Sequence, residues 1–152
     1  MTAADQIVLV DPYFQSRRKC TKVIDSMLRI CQVNDALPSQ VIVFSDYSKD
    51  PRDLTVVRQE YEGLLNAWIE LDVRITICRV AADQLDQDFH ARYLFNQKAG
   101  LRFDRGFVEP EAHNEREHET DIICIDTEFS NELYARFIEA RETINIVDEI
   151  VF

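Results

Sequence analysis

The sequence predicts an α/β fold, a mixed sheet flanked by helices with a central β-hairpin at about 89–107, and three observations carry that prediction. Gln6 to Val10, Val41 to Phe44 and Val73 to Val80 are strand-length apolar runs. The segments between them repeat their apolar residues at helical spacing, which is the strand–helix–strand alternation of parallel pairing. Further on, aromatic and aliphatic residues recur through 89–95 and 101–107 around a turn-forming stretch from Asn96 to Gly100.

Each element has its own signal. Gln6 to Val10 runs out into Asp11-Pro12-Tyr13-Phe14, as a central strand ending in a turn does. From about Gln15 to Val33, Cys20, Val23, Ile24, Met27, Leu28 and Cys31 form one helical face. Arg17, Arg18, Lys19 and Lys22 gather near its start, where the helix dipole disfavours cations. They form a solvated face or a docking patch for acidic partners. After the break at Asn34 to Gln40 and the second strand, Asp50-Pro51-Arg52-Asp53 predicts a helix start. Asp50 is expected to cap, Pro51 to take the first helical position and Asp53 to lie in the first turn. Leu54, Val57, Tyr61, Leu64, Leu65, Trp68 and Ile69 are the expected core face of that helix.

Beyond the hairpin, Glu109 to Asp121 is acidic and carries His113 and His118, with no spacing that matches a metal motif. It reads as an exposed loop. Thr120 to Ile125 is expected to be a strand, and Asn131 to Glu142 a helix with Leu133, Tyr134, Phe137 and Ile138 inward. The tail Ile144 to Phe152 fits a helix continuation or an edge strand, and its apolar residues could also serve a dimer contact.

Composition narrows the function classes. The 152 residues make about one domain, taken as 1–152, and 46% hydrophobic content is enough for an ordinary core. Three glycines and four prolines leave little room for linkers. The apolar runs are interrupted by charges, and Met-Thr-Ala-Ala-Asp lacks a signal-peptide pattern, so a soluble, cytoplasmic protein is expected. Cys20, Cys31, Cys78 and Cys124 lack the close paired spacing of a zinc site and read as buried thiols of a reducing compartment. A formal charge of −11 opposes binding DNA or an acidic bilayer over a broad surface, so any anion site must be local.

The hairpin offers such a site. With 97–100 as its loop, Asn96 lies opposite Leu101, Arg92 opposite Arg105 and His90 opposite Phe107, and His90, Arg92 and Arg105 share a face. Two facing arginines repel unless an anion lies beside them. A carboxylate of this chain and a ligand phosphate both answer that need.

These residues resemble a family, the phospholipase D-like C-terminal domain of MIT-domain proteins. The resemblance rests on Asp11-Pro12-Tyr13 after the first strand, an aliphatic helix, the strands Val41 to Phe44 and Val73 to Cys78, then His90-x-Arg92, Asn96, Gly100, Arg105-Gly106 and Glu119-Thr120. It implies a phospholipase D-like fold, commonly dimeric, whose members associated with the ESCRT machinery bind acidic membrane lipids rather than hydrolyse them. Ala91 stands where the family usually has an acidic residue, and no MIT domain precedes the motif. The chain is thus similar to a free-standing prokaryotic relative, for which a protein partner such as an ATPase is expected.

The catalytic phospholipase D pattern uses a histidine nucleophile, a lysine two residues later and a more distant aspartate, in two sets. Here His90 is present, Arg92 replaces the lysine and Gln97 occupies the aspartate position. Catalysis would need a homodimer that unites two copies of His90, with Asp11 or Glu119 orienting the ring. The expected function is therefore a non-catalytic, homodimeric binding module for a phosphate-bearing ligand (lipid headgroup or nucleic acid) or an acidic protein partner. Its ligand-binding set is His90, Arg92, Arg102, Arg105, Asp11 and Glu119, with no metal and no cofactor. The alternative is a dimeric phosphodiesterase, nuclease or phospholipase with His90 as nucleophile. A purely structural role, with the cations satisfied by internal carboxylates, is the third possibility.

Overall fold

The computed structural model describes residues 5–81, 92–104 and 121–152. Strand β1 is Gln6–Val10, β2 Gln40–Asp46 and β3 Arg74–Val80, with helix α1 (Arg18–Val33) between the first pair and α2 (Leu54–Ile69) between the second. These strands pair in parallel, β1 with β2 and β2 with β3. The hairpin strands β4 (Arg92–Phe95) and β5 (Gly100–Phe103) follow, then β6 (Ile122–Ile125), α3 (Thr127–Tyr134) and β7 (Ile146–Val151). All seven described strands form one mixed sheet in the order β6-β5-β4-β1-β2-β3-β7, the four pairings outside the parallel core being antiparallel.

The central strands read as unbroken apolar runs because both of their faces are covered. Leu9, Val41, Val43, Ile75 and Ile77 point to one side, where α1 and α2 bury Ile24, Leu28, Val57, Tyr61, Leu65 and Trp68 against them. Val8, Val10, Ile42, Phe44, Cys78 and Val80 point to the other, under Leu133 and Phe137 of α3 and its continuation. The two helices on the first face are tied by Trp68 Nε1 donating to Asp25 Oδ1 at 3.0 Å. Among the described residues, no helix is long and apolar enough to cross a membrane.

Several boundaries differ from the sequence reading, each for a local reason. Asp53, not Asp50, caps α2: its carboxylate accepts from Thr55 N at 2.8 Å, and Pro51 lies outside the helix. Asp50 is taken by Arg52 instead. Leu54 and Leu64, read as core, are 39% and 37% exposed. The last helix begins at Thr127, four residues before Asn131, because Asp126 caps it by accepting from Phe129 N. It then loosens into a π-helical turn over Ala135–Glu139. The tail resolves into the edge strand β7, antiparallel to β3.

The hairpin turn is tighter than the loop read from sequence. Asn96 N donates to Ala99 O at 2.9 Å, and Asn96 Oδ1 accepts from Lys98 N and Ala99 N, so the side chain replaces backbone partners in the turn. Gly100 closes it for want of space, since a Cβ there would lie 2.5 Å from Ile125 Cδ1 and 2.9 Å from Phe95 Cβ. The register is Phe95 with Gly100 and Arg92 with Phe103, two residues away from the expected pairing. Arg92 therefore faces Phe103, not Arg105.

Candidate functional site

In sheets built from strand–helix–strand units, ligands gather beyond the carboxyl ends of the parallel strands. The pairing puts Val10, Phe44 and Cys78 in one row, so Asp11, Asp46 and Val80 mark that edge. Arg92, Phe103, Ile122 and Ile146 reach it as well, through the antiparallel strands. The polar side chains with buried partners concentrate there.

Asp11 is the anchor. Its N–H donates to Phe44 O, and its buried carboxylate accepts from Tyr13 N at 2.9 Å, which folds Asp-Pro-Tyr into a turn. The same Oδ1 lies 3.4 Å from Arg92 Nε, a long contact between two shielded groups, while Arg92 Nη1 donates to Asp104 O at 3.0 Å. The Arg92 guanidinium carbon is 5.1 Å from the centre of the Tyr13 ring, and Lys49 Nζ is 5.3 Å from the same centre, both within cation–π range. Tyr13 itself is 47% exposed. Gln15 Nε2, donating to Lys49 O at 2.8 Å, holds the two loops together.

Of the residues assigned from the sequence, the structure thus joins Asp11 and Arg92. Arg102 does not belong with them. It pairs with Tyr93, whose side chain enters the α3-side core, whereas Arg92 pairs with Phe103 on the α1–α2 side. The two arginines alternate to opposite faces, and Arg102 Nε lies 3.3 Å from Asp104 Oδ1 in an exposed pair. His90, Arg105 and Glu119, together with His113, His118 and the acidic stretch from Glu109 to Thr120, lie outside the described residues. Among the described residues no cluster of His, Cys, Asp or Glu is placed to hold a metal ion.

A second polar system on the same edge escaped the sequence reading. Arg79, 2% exposed, donates from Nε and Nη2 to the two carboxylate oxygens of Asp148 at 2.6 and 2.5 Å, and from Nη1 to Asp50 O and Arg52 O. Asp50 in turn receives Arg52 in a two-point pair at 2.6 and 2.8 Å. Arg52 extends to Glu60 and to Ser16 Oγ, and that hydroxyl donates to Glu60 Oε2 at 2.5 Å. One signal was available: Arg79 is a lone charge inside the apolar run Ile75-Thr76-Ile77-Cys78-Arg79-Val80. A buried guanidinium requires a carboxylate.

This network sets an acid dependence. Hydrogen bonding from Arg52 holds the Asp50 carboxyl below its ordinary range, and the Ser16 hydroxyl, then Arg52, does the same for Glu60. Groups lowered in the folded state bind fewer protons there than in the unfolded chain, so they stabilise the fold above the ordinary carboxylate range, about pH 4. That contribution is lost as pH falls through the lowered folded values. Melting temperature is expected to fall steeply below about pH 4, and Asp50→Asn to flatten that acid limb; an unchanged limb in Asp50→Asn would separate Asp50 from acid unfolding.

The four cysteines are free. Burial pushes the Cys20 thiol up and that of Cys78 up to about 12, so neither is a nucleophile near neutrality. Cys31 is half-buried, and Cys124, expected inside, is exposed because β6 is an edge strand. Comparison with protein-family models, with curated proteins and with solved structures returned no match.

Proposed function

We propose that the chain is a non-catalytic, phospholipase D-like binding module that takes a phosphate group at the edge where Tyr13, Lys49 and Arg92 converge. The observation that carries this reading is the placement of two cations, Arg92 and Lys49, about one half-exposed aromatic ring at the carboxyl end of the central strand β1. Asp11 and the Asp104 carbonyl engage the Nε and Nη1 positions, which fixes the guanidinium plane before any ligand arrives. Such preorganisation lowers the ordering cost of binding. A planar guanidinium suits phosphate oxygens even where it replaces lysine. Exposed Arg17, Arg18, Lys19 and Lys22 lie just beyond Tyr13 in the chain and add local positive charge to a molecule of net charge −11. The phospholipase D-like part of the reading is supported by the mixed sheet, helix-covered on both faces, and by the residue order from Asp11 to Arg92.

Calorimetric titration with inorganic phosphate tests the proposal. Arg92→Ala is expected to weaken binding at least tenfold, since one charge-assisted contact contributes about 1.5–3 kcal/mol. Lys49→Ala, at an exposed position that leaves the fold intact, is expected to weaken it less. Equal affinity in wild type and both variants would sink the site, and turnover of a generic phosphodiester would replace binding by catalysis.

A further inference from the structure

The outer edge of β6 is uncharged. Ile122, Ile123, Cys124 and Ile125 carry no charge; the first two are 58% and 47% exposed, and Cys124 is exposed. Edge strands are normally guarded by charges, prolines or bulges, because their free N–H and C=O groups accept another strand. The opposite edge follows that rule, with Asp148 and Glu149 in β7 and a bulge at Arg79/Val80. Among the described residues, none pairs with the outer side of β6.

The hydrogen-bond phase of β6 fixes what can pair with it. Asp104 N donates to Asp121 O, and the register places Arg102 opposite Ile123 and Gly100 opposite Ile125. Bonded pairs alternate in an antiparallel ladder, so Asp121, Ile123 and Ile125 turn their backbone groups toward β5. Ile122 and Cys124 turn theirs outward.

We infer that β6 pairs antiparallel with β6 of a second copy of this chain, about a two-fold axis between the two Ile123 residues, joining two seven-stranded sheets into one. In this register Ile122 of each copy exchanges both backbone bonds with Cys124 of the other, giving four bonds across the junction. The Ile123 side chains meet at the axis as a close, non-bonded pair. Asp121 falls opposite Ile125. The register shifted by one, which would set Asp121 against Asp126, pairs outward residues with inward ones and forms no ladder.

A second copy fits better than a foreign strand because the edge is self-complementary: Ile122 faces Cys124, Ile123 faces Ile123, Ile125 faces Asp121, and no acid faces an acid. The face of Ile122 and Cys124 is apolar, and on the other face Ile123 lies beside the exposed Arg102–Asp104 pair. Phe129, 37% exposed and 5.9 Å from the Tyr93 ring centre, shares the face of Ile123, while half-buried Leu101 and Phe103 share that of Ile122 and Cys124. Two bodies of charge −11 repel, so this association tightens as salt rises, the reverse of a charge-driven contact.

Sedimentation of the full chain across concentration and salt tests the inference. The wild type is expected to dimerise, more tightly at high salt. Ile123→Lys, which sets two ammonium groups against each other at the axis, is expected to raise the dissociation constant by about tenfold or more. Cys124→Pro removes only an outward N–H, leaves the β5 ladder whole, and is expected to weaken the dimer too. Ile123→Cys in a Cys124→Ser background is expected to cross-link on oxidation. A chain that stays monomeric throughout, as it would if residues of the same chain covered β6, overturns the inference, as does a dimer that folded Ile123→Lys and Cys124→Pro leave unchanged. The inference goes beyond the anion site and does not touch it: phosphate affinity in Ile123→Lys is expected to match wild type, so the two readings fail separately.

Discussion

Arg79→Ala is expected to cost about 3–5 kcal/mol of folding stability, the loss typical of breaking a buried ion pair from one side. The guanidinium links three pieces of chain: β3, on which it stands, β7 through Asp148, and the loop entering α2 through the carbonyls of Asp50 and Arg52. Its flat face also lies 5.0 Å from the centre of the Tyr47 ring. Truncation strands a shielded carboxylate and two backbone acceptors at once. Arg79→Lys restores the charge but not the two-point geometry, so it is expected to recover only part of the loss. Pairing Arg79→Met with Asp148→Asn removes both charges and is expected to be less destabilising than Arg79→Met alone. Urea unfolding measures all four; a loss below about 1 kcal/mol in Arg79→Ala would mean that the pair does not hold β7 in place.

Phe137→Ala is expected to cost a similar amount, about 3–5 kcal/mol, through the cavity it leaves. The residue is 1% exposed, and its ring centre is 5.0 Å from that of Phe44 and 6.2 Å from that of Phe95. Phe44 belongs to the parallel core and Phe95 to the hairpin, so this one ring joins the two halves of the sheet on the α3 side. Phe137→Leu keeps most of the volume and is expected to recover much of the stability. Equal losses for alanine and leucine would show that the aromatic contacts, not the filled volume, carry the effect.

The parallel half of the fold was legible because its pattern is redundant. Leu9, Val43 and Ile77 sit in apolar runs buried on both faces, and Ile24, Leu28, Leu65 and Trp68 keep helical period between them. Local hydrogen bonds with short side chains were harder to rank: two aspartates, Asp50 and Asp53, competed to cap α2, and the outcome depended on Arg52 claiming the first. The hairpin register missed by two residues because Asn96 folds the chain back on its own side chain, which shortens the loop. That shift preserved which face Arg92 occupies while changing its partner. Asp11 was named as a site residue from its place after the first strand, and Arg92 from its place in the hairpin; their meeting required β4 to lie beside β1, a pairing of residues 81 positions apart. Sequence spacing carries no signal for such a contact. Arg102 stands in the expected ligand-binding set beside Arg92, and strand alternation separates the two.

The phosphate site at Tyr13, Lys49 and Arg92 is tested most directly by titrating the isotopically labelled full chain with inorganic phosphate, following backbone amide resonances. Saturable shifts are expected, largest at Tyr13, Lys49 and Arg92 and lost in Arg92→Ala while the spectrum of a folded protein is retained. Shifts confined to the basic start of α1, from Arg17 to Lys22, or no saturable shift at all, would contradict it.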